Sequence, residues 1–256
     1  MSRLNAYAGR ALRYIRQYGG ASLYRKIRER KERNRAERDY ALWLASQLPD
    51  KQETARQRGV VFPYTPCISI LVPAYETPEA YLRQMIESVL SQSYGRLELC
   101  IADGSPSDRV ERVAREYARR DARVRYRKLE KNFGISENTN TALSMAGGEY
   151  VGLLDHDDLL LPGALFAVAG ALNDGEPAEA LYTDEDKFDP ESDRHFQPHF
   201  KPDFNLEYLR SNNYICHFFV VKREIALAEG GFREEFDGAQ DHDFIFRCTE
   251  RAKKVV

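Results

Sequence analysis

Residues 67–102 read CISILVPAYETPEAYLRQMIESVLSQSYGRLELCIA, and the apolar period changes twice along them. The opening CISILV is a β-branched apolar run closed by Pro73, the pattern of a buried strand. Residues 78–92 start on a proline and carry Tyr81, Leu82, Met85, Ile86, Val89 and Leu90 at helical spacing. LELCIA (97–102) then reads as a second strand. Outward from this unit the alternation continues. A helix is predicted over 108–121, a strand at VRYRKL (124–129), and a helix over 136–146 with Ser136 as its N-cap and Glu137 in its first turn. A strand at YVGLL (150–154), a helix over 162–173 begun by Pro162, and a strand at ALYTD (180–184) complete the series. Alternation at this pitch predicts an α/β fold, with a mostly parallel sheet and helices on both faces.

In such sheets ligands bind at the carboxyl ends of the strands. Polar residues crowd those ends in five successive loops: Pro73, Tyr75 and Glu76; then Asp103-Gly104-Ser105; then Lys131 to Gly134; then Asp155-His156-Asp157-Asp158; and finally Asp184 to Lys187. Five polar loops on one edge predict a site there.

Charge divides the chain. Residues 1–60 hold 15 Lys and Arg against 6 Asp and Glu, although the whole chain has a net charge of −2. Placed on a helix, residues 3–18 put Leu4, Tyr7, Ala8, Ala11, Leu12, Ile15 and Tyr18 on one arc and Arg3, Arg10, Arg13 and Arg16 on the other. Gly19-Gly20 ends that helix, and a second, highly charged helical stretch follows. We therefore divide the chain into a basic helical arm (1–60) and a body (61–256), with 50–66 read as a polar linker. The arm suits an anionic membrane surface, packing on the body, or a homo-oligomer contact. Nucleic acid is not expected, because aromatic and basic residues take opposite faces rather than interleaving. No apolar run approaches a membrane span or a signal peptide, so the expected location is cytoplasmic, with peripheral contact at the inner face of the cell membrane. Cys67, Cys100, Cys216 and Cys248 lie far apart without metal spacing and read as free thiols.

LLDHDD (153–158) places three carboxylates on four positions directly after a strand. Their repulsion calls for compensation by a cation, by backbone donors or by solvent. An EF-hand calcium loop would need Gly where Leu160 stands. A phosphatase of the haloacid-dehalogenase kind usually carries its Asp-x-Asp after the first strand, not the fourth. A plain structural turn and a divalent-cation clamp on a nucleotide diphosphate remain.

Between residues 69 and 244 the segments SILVPAYE, ADGS, KNFGISENTNTAL, LLDHDD and GAQDHDF occur in an order that resembles glycosyltransferase family 2 and its Rossmann-like GT-A fold. YTDEDK, HFKPDFN and LRSNNYICHFFVV resemble the branch that builds bacterial O-antigen and rhamnan-type polysaccharides. The resemblance implies an inverting, Mn2+- or Mg2+-dependent transferase that moves a sugar from a UDP- or dTDP-linked donor to a glycan or lipid-linked acceptor. It implies that Pro73, Tyr75 and Glu76 line the base and ribose, and that Asp103 accepts the N3–H of a uracil or thymine ring. Lys131 and Asn140 would lie near ribose and diphosphate, Lys131 replacing an Arg that relatives often carry where Glu137 stands. Asp155 would face ribose or a cation-bound water, Asp157 would bind the cation, and Asp158 would support the turn. Asp241 would be the general base. Glu185, Asp186, Asn212, Asn213 and His217 are acceptor-side candidates. Relatives usually continue past the helix of Asp241 to a strand and a His-bearing loop, so the body is expected to lack that end and one cation ligand. Two other readings stay open: a catalytically incomplete nucleotide-sugar-binding or assembly module, and a sugar nucleotidyltransferase. The latter should show a Gly-rich, basic loop after the first strand, where PAYETPEA is neither.

Overall fold

The computed structural model describes residues 13–256. Most of the amphipathic arc over 3–18 therefore lies outside the described residues. Residues 13–18 are helical and stop at Gly19, whose φ of 82° suits glycine. Two compact units follow from the contacts: Met1–Gln47 with Asp186–Pro198, and Leu48–Glu185 with His199–Val256.

In the first unit, α1 (Gly20–Gln47) is a long helix that is polar on nearly all sides. Ion pairs one turn apart, Arg28–Glu32, Arg33–Glu37 and Arg35–Asp39, support it. With it goes most of the two-stranded pair β6 (Glu185–Asp189) and β7 (Arg194–His199). The Tyr40 hydroxyl donates to Asp186 at 2.6 Å, and His195 Nδ1 lies 2.9 Å from the same carboxylate.

The second unit opens on a difference from the sequence reading. The expected linker contains helix α2 (Lys51–Arg58). Asp50 caps it, accepting the Glu53 N–H at 2.7 Å, and Glu53 pairs with Arg56 on its surface. A polar composition hid a helix held by its cap and one side-chain pair.

The sheet strands are β1 (Ile68–Ala74), β2 (Leu97–Asp103), β3 (Val124–Lys128), β4 (Tyr150–Leu153), β5 (Ala180–Tyr182) and β8 (Phe219–Lys222). The helices are α3 (Glu79–Leu90), α4 (Arg109–Arg120), α5 (Ile135–Met145), α6 (Ala164–Ala171), α7 (Leu206–Ser211), α8 (Arg223–Ala228) and α9 (Gln240–Arg251). The order across the sheet is β3-β2-β1-β4-β8-β5, with β1 to β4 parallel. β8 inserts antiparallel between β4 and β5, a strand the alternation did not announce. β5 still runs in the sense of β4, since both are antiparallel to β8, and so ends on the same edge.

β1 is buried on both faces. Ile68, Ile70 and Val72 join Leu82, Met85 and Ile86 of α3 and Val110 and Val113 of α4 in one layer. Leu71 joins Leu143 of α5, Val151 of β4 and Phe244 and Ile245 of α9 in the other. Each such aliphatic side chain contributes roughly 1.5–3 kcal/mol by leaving water. α5 starts differently from expectation. Gly134, at φ 95°, takes the capping position, and Ser136 is buried as the second residue of the helix, its hydroxyl donating to Asp237 at 2.6 Å. Gly148, just before β4, passes so close to β1 that an added Cβ would meet the Cys67 carbonyl and Ser69 Oγ at 2.6 Å each. Gly148→Ala is therefore expected to lower stability by about 1–3 kcal/mol, read as a lower urea midpoint at unchanged slope.

Candidate active site

Parallel pairing brings the ends of β1, β2 and β3 side by side. Ala74 is level with Asp103, and Asp103 with Lys128. Asp103 is fully buried and heavily bonded. One oxygen accepts the Ser105 N–H at 2.8 Å; the other accepts the Tyr126 hydroxyl at 2.7 Å and Lys128 Nζ at 3.0 Å. Burial and the Asp103 carboxylate push the Tyr126 hydroxyl far up, so it remains a donor. Glu76 takes the left-handed conformation at φ 49°, donating its N–H to Ser105 Oγ. Its carboxylate accepts the Ser107 N–H at 3.1 Å, and the Ser107 hydroxyl, then that N–H, hold it below the usual glutamate range. Tyr75 leaves its ring exposed at this edge. Lys131 does not join the group; its ammonium sits 5.0 Å from the centre of the Phe133 ring. The cation beside Asp103 is Lys128.

After β4 the chain turns tightly, the Asp158 N–H donating to the Asp155 carbonyl at 3.2 Å. That turn gathers Asp155 and Asp158, and the segment leading into β8 adds His217; their ligand atoms lie within 4.8 Å of one another. His217 Nε2 is 3.6 Å from Asp155. Asp157, expected to bind the cation, is 57% exposed and lies outside this trio, whereas Asp158 belongs to it. Burial, then Asp155, Asp157 and Glu185, raise the Asp158 carboxyl above the usual range against the pull of His217. His217 is pushed up to about 9 by the adjoining Cys216, then by Asp155 and Asp158, against its own burial. Two carboxylates and an imidazole make a donor set able to hold a metal ion, and among the described residues His217 Nδ1 is buried without a hydrogen-bond partner.

A cavity of about 300 Å³ opens beside the trio, lined by Pro73, Asp155, His217, Gln240 and Asp241 among others. Asp241 lies in the first turn of α9 and accepts Asn213 Nδ2 at 2.9 Å. Asp243, two residues on, is a support. Its side chain is 8% exposed and bonded to Arg247 at 2.8 Å and to Arg233. Burial opposes its charge, but the hydrogen bonds from Arg233 and Arg247 outweigh that and hold it below the usual aspartate range. Asp243→Asn is expected to cost about 3 kcal/mol, because two guanidinium groups lose their partner. A lowered folded pKa stabilises above the ordinary aspartate pKa of about 4 and stops doing so as pH falls through the folded value. The gap between the unaltered chain and the variant should therefore shrink in unfolding midpoints below pH ~4.

Other expected residues sit elsewhere. Asn140 is tied at both ends of its amide to the Phe232 backbone, at 2.8 Å each, and does not line the cavity. Asp186 is bound to Tyr40 and His195 within the first unit. Asn212 is exposed and donates to the Tyr208 hydroxyl. Glu185 accepts the His217 N–H at 3.2 Å and faces His199 at 3.1 Å. The sequence reading passed over Lys128, Tyr126 and Lys201. Lys128 was findable from strand register; Lys201 carried no local signal.

Comparison with known proteins follows this geometry. Residues 69–228, more than half of the chain, match the model of glycosyl transferase family 2. The uncharacterized protein y4gI of Sinorhizobium fredii is 46% identical over 189 residues, covering 73% of this chain and 21% of that protein. The O-antigen biosynthesis protein RfbC of Myxococcus xanthus is 37% identical over 218 residues, covering 85% and 17%. The chain thus spans about a fifth of the length of these relatives. Among solved structures, S. aureus TarS 1–349 in complex with UDP-GlcNAc superposes with a TM-score of 0.61 at 22% identity, covering 74% of this chain and 55% of that one, which shows a shared fold. By these matches the chain belongs to glycosyl transferase family 2.

Proposed function

We propose that this chain is an inverting, divalent-cation-dependent glycosyltransferase domain that draws on a UDP- or dTDP-sugar and extends a glycan or lipid-linked acceptor in bacterial surface polysaccharide synthesis. The observation that carries this reading is the meeting of Asp155, His217 and Asp241 around one cavity at the carboxyl edge of the sheet, with Asp158 clustered against the first two. RfbC, an O-antigen biosynthesis protein, supports the polymer class, and the UDP-GlcNAc complex of TarS supports a uridine donor.

On this reading Tyr75 and the Glu76–Ser105 turn hold the base and ribose, and Asp103, fixed by Tyr126 and Lys128, receives the base's imide N–H. Asp155, Asp158 and His217 would hold the cation, which when bound offsets charge on the leaving diphosphate. Asp241 takes the proton of the acceptor hydroxyl as that oxygen bonds to the anomeric carbon. The bond from that carbon to the diphosphate oxygen breaks on the opposite face, so the configuration inverts. Asn213 keeps the Asp241 carboxylate aimed. Calorimetric titration with UDP and dTDP, with and without Mn2+, followed by assay of sugar release, tests the reading. Cation-dependent binding with release supports it; no nucleotide binding under either condition overturns it.

The arm is proposed to rest on an anionic membrane surface. In the first unit Lys26, Arg30, Arg33, Arg35, Arg38 and Arg194 line one groove, and Tyr24 and Ile27 of α1 are exposed. Among the described residues no helix is long and apolar enough to cross a membrane. The full chain should float with phosphatidylglycerol vesicles at low salt, and R30E/R38E should release it. Equal flotation of the two proteins removes the proposal.

A further inference from the structure

Lys201 follows β7 in the second unit, and its side chain is 1% exposed. A lysine this deep normally needs an acidic partner; here Glu185 pairs with it at 3.5 Å, and two backbone carbonyls share the ammonium. Nζ donates to the Ile215 carbonyl at 2.5 Å and to the His217 carbonyl. Glu185 completes the grip, the oxygen that faces the ammonium also accepting the His217 N–H at 3.2 Å. The Lys201 backbone is fixed in turn, its N–H donating to Asp184 at 2.7 Å.

The gripped segment is unusual. Cys216 adopts a left-handed φ of 43°, a conformation that L side chains avoid without support from their surroundings. The same short segment carries two groups of the site. His217 faces Asp155 and Asp158, and Asn213 donates to Asp241 while accepting the Cys216 N–H at 3.2 Å. An ammonium offers three donors and no acceptor, so it can close on several carbonyls at once where a neutral side chain would leave them bare.

We propose that Lys201 is a positioning residue: through the Ile215 and His217 carbonyls it sets the turn that presents the imidazole to the acidic pair and Asn213 to Asp241. It touches neither donor nor acceptor. The proposal rests on the cation reading above for its consequence, and on the hydrogen bonds alone for its structure.

Lys201→Met keeps the length and burial of the side chain and removes its donors. Two measurements on the full chain test the role. In hydrogen exchange without metal, peptides spanning 212–218 should exchange at least about tenfold faster in the variant, while β1 and β2 stay protected. In Mn2+ titration with UDP present, followed by electron paramagnetic resonance of free Mn2+, affinity should fall about 10–100-fold, the range for losing a group that orients a ligand. Metal-free UDP binding should be unchanged. In a His217→Ala background Lys201→Met should cost no further Mn2+ affinity. Unchanged exchange over 212–218, or an equal loss of Mn2+ affinity in both backgrounds, overturns the proposal. If the unaltered chain with UDP binds no Mn2+, the cation reading fails, and the exchange result alone then judges Lys201.

Discussion

Asp241→Asn should bind donor and cation as tightly as the unaltered chain and lose transfer by about 10²–10⁴-fold, the usual contribution of a positioned base. The substitution keeps the shape of the side chain, and an amide oxygen can still accept from Asn213 Nδ2. What disappears is the capacity to take the acceptor's proton. The support around the residue is separate: Asp243 and its two arginines hold the start of α9, and Phe244 and Ile245 anchor it in the core. A loss of activity with an unchanged unfolding midpoint therefore belongs to chemistry, not to folding. Transfer within tenfold of the unaltered chain would show that Asp241 is not the base.

The second large effect separates two neighbouring carboxylates. Asp158→Ala and Asp155→Ala should each weaken Mn2+-dependent nucleotide binding by about 100-fold or more, since even groups that only orient a ligand cost 10–100-fold. Asp157→Ala should leave it within a few-fold. Asp157 is exposed, with His156 Nδ1 3.7 Å from its carboxylate, so its removal acts mainly through the local field. Calorimetry on the three variants, each with and without Mn2+, checks this. A pattern in which Asp157→Ala is the damaging change would restore the simple Asp-x-Asp arrangement and displace the trio.

The difference between those two arrangements marks where the sequence stops being legible. An Asp-x-Asp spacing in an extended chain points both carboxylates to the same side, which favours 155 with 157. The chain does not stay extended. The bond from the Asp158 N–H to the Asp155 carbonyl closes a turn that brings positions 155 and 158 together instead. His217 was readable as a residue near the site but not as a ligand, because its place depends on β8 entering antiparallel beside β4. Nothing local in CHFFVV states that direction. The placing of Lys128 beside Asp103 is a matter of register: β3 ends at Lys128, level with Asp103, and only strand pairing makes that visible. The βα alternation was legible, because β1, β2 and β4 are buried on both faces and α3 shows a clean apolar stripe. The helix over 51–58 was not, because it has no apolar face to betray it.

Crystals grown with UDP and Mn2+, with diffraction recorded at the manganese absorption edge, test the site most directly. The expected result is one anomalous peak within bonding distance of Asp155, Asp158 and His217, with the UDP diphosphate on its open side. A peak bound to Asp157 instead, or UDP bound at full occupancy with no peak near Asp155, would contradict the assignment.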